Sequence, residues 1–244
     1  MRTYRIIFMG TPELGKTILE KLVASKTYAP GLVITQQDKP VGREHLLTPP
    51  PVKIFAEGHT IDVWQPQKLR DPETIGRIRT WAPDIIIVAA YGKIIPQEII
   101  DIPPYGILNV HTSLLPRHRG ASPVQYSILS GDQETGATIM RIDAGLDTGD
   151  IISQQSIAVV SSETTETLMG KLAVLGADLL VETLPQWFEG TITPHPQDNA
   201  HATLTKIFKK EDGAITAEHT AEQIERMLRA FTPWPGVFMT LRDE

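Results

Sequence analysis

The chain contains no cysteine. That excludes disulfides and every metal site built on thiolates. Long apolar runs are missing too. The longest uninterrupted one, Ile85 to Ala90, is far too short to span a bilayer. The opening stretch MRTYRIIFMG has too brief an apolar run, and no small-residue cleavage site, to act as a secretory signal. A cytoplasmic location with no membrane partner is therefore expected. Positive charge is not in excess either. Lys and Arg number 23 against 29 Asp and Glu, for a formal net charge of −6. This argues against a broad phosphate-tracking surface but leaves room for a local basic patch.

Several site signatures are incomplete. Gly10 to Gly15 lacks the middle glycine of a dinucleotide fingerprint. Gly120-Ala121-Ser122-Pro123-Val124 lacks the final glycine of a hydrolase nucleophile elbow, and proline after the serine removes an N–H such sites use. A calcium loop starting at Asp143 needs glycine at its sixth place and glutamate at its twelfth, where Thr148 and Gln154 stand. No metal is expected.

What is present is a soluble, core-forming composition, 41% hydrophobic and 21% charged over 244 residues. That length suits one large domain and a small second piece. Short apolar runs at Tyr4 to Met9, Gly31 to Thr35, Asp84 to Ala90 and Gly106 to Val110 read as strands. The third is apolar on both faces, as in the middle of a parallel sheet. Ile18, Leu19, Leu22 and Val23 recur at helical spacing behind Gly10-Thr11-Pro12, where Thr11 is the expected cap. Ser122-Pro123-Val124-Gln125 has a capping-box pattern, and Gly131 is placed to stop its helix. The alternation predicts an α/β fold with a doubly wound, mostly parallel sheet. Ala137 to Ile142 and Ile151 to Val160 look extended around a Gly/Asp-rich loop. Leu168, Leu172, Leu175 and Leu179 then mark a helix.

Residues 191–205, rich in Pro, Thr, His and Asn, read as a linker. Thr220 opens a capped helix that Pro233 ends, and Val237 to Leu241 reads as one strand without a partner. The expected organisation is a catalytic domain over 1–190, the linker over 191–205, and an incomplete C-terminal domain over 206–244.

The most informative segment is Asn109-Val110-His111-Thr112-Ser113-Leu114-Leu115-Pro116, at the end of the fourth strand. Residues two apart in an extended chain share a face. Asn109 and His111 are thus presented together, where open α/β sheets bind their ligands. The loop from Asp143 to Asp150 has glycines that let a carboxylate fold back over that site. Asp143 and Asp150 suit turn making. Acyl transfer to an amine needs a proton acceptor, an oxyanion donor and a proton for the leaving nitrogen. A carboxamide, an imidazole and a carboxylate supply all three without a metal.

Asn109, His111 and Ser113-Leu114-Leu115-Pro116, followed by Arg117, Arg119 and Gly120, resemble the signature of the folate-dependent formyltransferases. Leu146-Asp147-Thr148-Gly149-Asp150 is similar to the aspartate loop of the same family, and Pro233-Trp234-Pro235-Gly236 to its sequence near the end. The resemblance covers essentially the whole chain, and within the family it is strongest to the branch acting on methionyl-tRNA. It implies a Rossmann-like fold followed by the start of a C-terminal β-barrel. It implies that Asn109, His111 and Asp147 are catalytic and that 10-formyltetrahydrofolate is the co-substrate. Ser113, Leu114, Leu115 and Pro116 would line the folate site, and Tyr91, Ile94 and Ile95 would hold the pterin ring. The loop from Gln36 to Lys53 resembles the insertion that approaches a tRNA acceptor end, with Arg43 as the candidate contact. Initiator methionyl-tRNA is then the expected partner, and a monomer the expected state. Another amine, on an amino-sugar nucleotide or on glycinamide ribonucleotide, remains an alternative acceptor. So does a folate-binding role with little activity on tRNA.

Overall fold

The computed structural model describes residues 3–42 and 44–240. In chain order its elements are β1 (Ile6–Gly10), α1 (Glu13–Ala24), β2 (Leu32–Ile34), β3 (Lys39–Val41), β4 (Leu46–Thr48), α2 (Pro51–Gly58), β5 (Asp62–Trp64), α3 (Pro72–Trp81), β6 (Ile85–Ala89) and α4 (Gln97–Ile100). Then follow β7 (Ile107–His111), β8 (Arg119–Gly120), α5 (Pro123–Ser130), β9 (Glu134–Arg141), β10 (Ile151–Ala158), α6 (Thr165–Glu189), β11 (Leu204–Thr205) and α7 (Ala221–Ala230). No helix among the described residues is long and apolar enough to cross a membrane.

Seven strands form one sheet in the order β10-β9-β7-β6-β1-β2-β5. The five from β7 to β5 run parallel, and β9 and β10 add antiparallel pairs at one side. Alternation sends Ile6 and Phe8 of β1 into one core with α1 and α6, and Ile7 and Met9 into another that holds Ile78, Ile86 and Tyr91. Both faces of the sheet are thus covered, which is why β1 and β6 are fully buried and lack polar alternation. The four strands expected from the sequence are all there. β5 was not expected: it is three residues long, at the edge, and only partly buried, so it has little apolar signature.

Some local expectations change. Thr11 does not cap α1; its hydroxyl donates to the Tyr91 carbonyl at 3.1 Å and ties the β1 and β6 ends together. Ser122 sits in the left-handed region at φ 62° and its side chain caps nothing, so the capping box before α5 does not form. Gly131 does end α5, in the left-handed conformation. The capping box of Thr220 with Gln223 forms at α7. The stretch from Val237, expected as a strand, is reduced to one bridge between Ala214 and Phe238; Leu241 lies outside the described residues.

Residues 191–205 lie against the sheet domain. His195 exchanges both main-chain hydrogen bonds with Ile151, at 2.8 and 2.9 Å, and β11 pairs in parallel with β8. The segment lacks periodicity because main-chain bridges and individual polar side chains, rather than an apolar stripe, hold it. Beyond it, Phe208, Met227 and Phe231 pack with Val124, Ile128 and Leu172 in a third core.

Candidate active site

β7 lies between β6 and β9, with Asn109 paired to Val88 on one side and to Met140 on the other. His111 ends the strand opposite Thr138. The Asn109 carboxamide is half-buried and has no hydrogen-bond partner among the described residues. His111 is buried, and its Nε2 stands 3.0 Å from the His118 carbonyl oxygen. A carbonyl can only accept, so Nε2 carries the hydrogen and Nδ1 is the open nitrogen. That Nδ1 faces Asp147 Oδ2 at 3.8 Å, too far for a direct hydrogen bond. The same Oδ2 accepts the Gly120 N–H at 2.8 Å. Imidazole and carboxylate are thus each fixed by the main chain, with a short gap between them.

The loop that brings Asp147 here is tightly knotted. Asp143 Oδ1 accepts the Gly145 N–H at 3.0 Å and the Thr148 hydroxyl at 2.8 Å, an Asx-type turn. A Cβ on Gly149 would stand 1.8 Å from the Arg141 carbonyl oxygen, so only glycine fits there. Asp147 itself is left-handed, at φ 50°.

The segment Ser113 to Pro116 is tied down by hydrogen bonds. The Ser113 hydroxyl donates to the Arg117 carbonyl at 2.7 Å, and its own carbonyl accepts from Thr138 Oγ1 at 2.6 Å. Gln154 Nε2 donates to the Leu115 carbonyl at 2.8 Å. Ser113 and Leu115 are buried, whereas Leu114 and Pro116 are half-exposed. Tyr91 and Ile95 are core residues as well. The Tyr91 ring is 1% exposed, and its main-chain carbonyl already accepts from Thr11 and Gln36. Ile94 is the exception among these three, 80% exposed beside the end of β6. The run Arg117-His118-Arg119 splits apart. Arg117 and His118 clasp Asp132 at 2.6 and 2.7 Å beside a cleft that Leu114 also lines, and Arg119 turns inward.

The insertion from Gln36 to Lys53 forms the exposed β3–β4 hairpin, with Val41, Leu46 and Leu47 open to solvent. Lys53 and Gln65 clasp Asp38 at its base, and their hydrogen bonds hold that carboxyl below the usual carboxylate range. Arg43 lies outside the described residues. Sequence reasoning missed the Gly120 N–H, the His118 carbonyl and Gln197. Main-chain donors leave no side-chain signal, and Gln197 sits in an unpatterned stretch.

Residues 4–184 match the formyl transferase family model, and residues 207–244 match the model of the formyl transferase C-terminal domain. A methionyl-tRNA formyltransferase from Geobacter metallireducens is 45% identical over 236 residues, covering 97% of this chain and 76% of that protein. Its namesake from Chloroflexus aggregans is 47% identical over 240 residues, covering 98% and 77%. Among solved structures, a sugar N-formyltransferase from a Shewanella species superposes with a TM-score of 0.74 at 16% identity, over 98% of this chain and 93% of that one. HypX from Aquifex aeolicus, in complex with tetrahydrofolic acid, gives 0.69 at 15% identity, over 98% and 36%. At such identities these two structures bear on the fold alone, and it is the same Rossmann-like arrangement. The chain belongs to the formyl transferase family, on the branch of the methionyl-tRNA formyltransferases.

Proposed function

We propose that the chain transfers the formyl group of 10-formyltetrahydrofolate to the amino group of initiator methionyl-tRNA, in the cytoplasm, at the start of protein synthesis. The observation that carries this reading is the approach of His111 Nδ1 and Asp147 Oδ2, at 3.8 Å, beside the unpartnered Asn109 carboxamide. The named relatives supply the acceptor. The run Ser113 to Pro116, which resembles the family's folate-site sequence, supports the donor class.

The chemistry is direct attack. The amine nitrogen forms a bond to the formyl carbon, and the carbonyl electrons move onto oxygen. Asn109 donates to that oxyanion, and one such donor is worth about 2.7–4 kcal/mol of barrier. His111 works through Nδ1, because Nε2 is committed to the His118 carbonyl. Nδ1 takes the proton that the attacking nitrogen loses and returns one to the folate nitrogen as the carbon–nitrogen bond breaks. Asp147 faces Nδ1 and stabilises the imidazolium formed between those steps.

The residues present fit a pterin at the strand ends. Ile94 offers a free apolar face, and Leu114 and Pro116 are partly open. Ser113, Leu115, Tyr91 and Ile95 act from behind, shaping the main chain that meets the ring. The β3–β4 hairpin, with Arg43, is the proposed approach for the acceptor end of the tRNA. We keep the domain division at 1–190, 191–205 and 206–244, with the middle piece serving as a strap.

His111→Ala and Asp147→Asn should each lower turnover by about two orders of magnitude or more, with circular dichroism and melting temperature little changed. Turnover at the unaltered rate in either variant refutes that residue's role. A panel of methionyl-tRNA, amino-sugar nucleotide and glycinamide ribonucleotide should give product with the first alone.

A further inference from the structure

Gln197 belongs to no motif, yet it is only 9% exposed. Its amide nitrogen places both hydrogens on the loop that carries Asp147. One goes to the Asp147 carbonyl at 2.8 Å, the other to the Gly149 carbonyl at 2.7 Å. Its carbonyl oxygen accepts from Arg119 Nε at 2.8 Å, and Arg119 also donates to Asn199 Oδ1 at 2.9 Å. The next residue, Gly120, holds the Asp147 carboxylate through its N–H. Arg119-Gly120 therefore governs both ends of Asp147: the side chain directly, the main chain through Gln197. The left-handed φ of Asp147, 50°, needs such restraint, since a non-glycine residue stays there only when its surroundings hold it.

We infer that Gln197 is a positioning residue for formyl transfer, which sets the main chain at Asp147 so that its carboxylate meets His111 Nδ1. This rests on the reading of Asp147 given above. The polar partners of Gln197 are Arg119 and the main chain at Asp147 and Gly149, so its proposed influence on His111 runs through Asp147. Every polar atom of its carboxamide is used, and all three partners lie on the site side of the strap.

The test uses the full chain with two variants. Gln197→Leu keeps the bulk and removes all three bonds. Gln197→Glu keeps the acceptor for Arg119 and removes both donors. Each should lower kcat by about tenfold to a hundredfold, the upper figure being what displacement of a reacting group by about 1 Å can cost. KM for methionyl-tRNA and for 10-formyltetrahydrofolate should stay within about twofold, because substrate contacts are untouched. Hydrogen exchange across residues 143–150 should quicken in both variants, which reads the anchoring without using turnover. On the Asp147→Asn background neither substitution should lower the residual rate further, since two changes acting through one group do not add. Unaltered kcat or unaltered exchange in the variants overturns the inference. So does an equal fold-loss on the Asp147→Asn background, the mark of a general loss of folded enzyme. Full turnover by Asp147→Asn alone instead overturns the parent reading.

Discussion

His111 is tethered by a main-chain carbonyl, so the ring's aim survives any substitution of the His118 side chain that leaves the backbone in place. Tyr91 is the contrasting case, a motif residue whose side chain serves the core. Its hydroxyl is buried without a hydrogen-bond partner among the described residues, and burial pushes the phenol up to about 12 from its ordinary 10. Between those pH values the unfolded chain has released this proton and the folded chain has kept it. Stability therefore falls as pH rises through the window, by up to about 3 kcal/mol once both values are passed. Tyr91→Phe should flatten that alkaline loss and be neutral or slightly stabilising near pH 7, because it deletes an unpaired buried hydroxyl. Urea midpoints of the two proteins from pH 8 to 11 check both statements; parallel curves would reject them. At this scale Asn109, His111 and Asp147 could be singled out in the sequence as candidates, because their chemistry and spacing leave a mark, and their roles are those proposed above. The orientation of Tyr91, Ser113 and Leu115 was not, since a run of neighbouring residues does not say which side chains turn inward.

The element that sets the site is β7, and α6 presses on it from behind. Val110, between Asn109 and His111, points to the opposite face and meets α6 at Gly176. A Cβ there would stand 2.6 Å from Val110 Cγ1. Glycine inside a helix costs about 1 kcal/mol of propensity, and here it allows the helix to lie close to the strand. Gly176→Val should destabilise the protein by about 1–3 kcal/mol through overpacking, read as a lowered urea midpoint. Turnover per folded molecule should fall with it, since β7 carries two site residues. An unchanged midpoint would mean that α6 can shift freely. Four of the five parallel strands of the main sheet, β1, β2, β6 and β7, were readable from apolar runs, and α6 from its leucines. β3, β4, β5, β8 and β11 were not, because short strands that are exposed or only partly buried carry no apolar run, unlike β2, whose three residues are all buried.

Across the whole molecule, residues after the strap are bound into the catalytic half. Phe208 stacks on Tyr126 at 5.0 Å and meets Phe231 edge-on at 4.9 Å, while Thr165 donates to the Ala230 carbonyl at 2.6 Å. Phe208 is 6% exposed, so Phe208→Ala should cost about 3–5 kcal/mol. Calorimetry should show one transition moving to lower temperature. A second, separate transition would mean that residues 206–240 melt on their own. None of this docking was visible in residues 191–205, which are held by main-chain bridges and by scattered single side chains such as Gln197 and Asn199, not by a periodic apolar stripe. The β8–β11 ribbon therefore has a mechanical consequence. One edge of it presents the amide that grips Asp147, and the other runs on within three residues into Phe208 and the C-terminal part. Two residue pairs, Leu204 with Arg119 and Thr205 with Gly120, join that amide to the segment leading to Phe208. A displacement of about 1 Å at a reacting group is enough to change a rate a hundredfold, so the tail and the carboxylate share one lever.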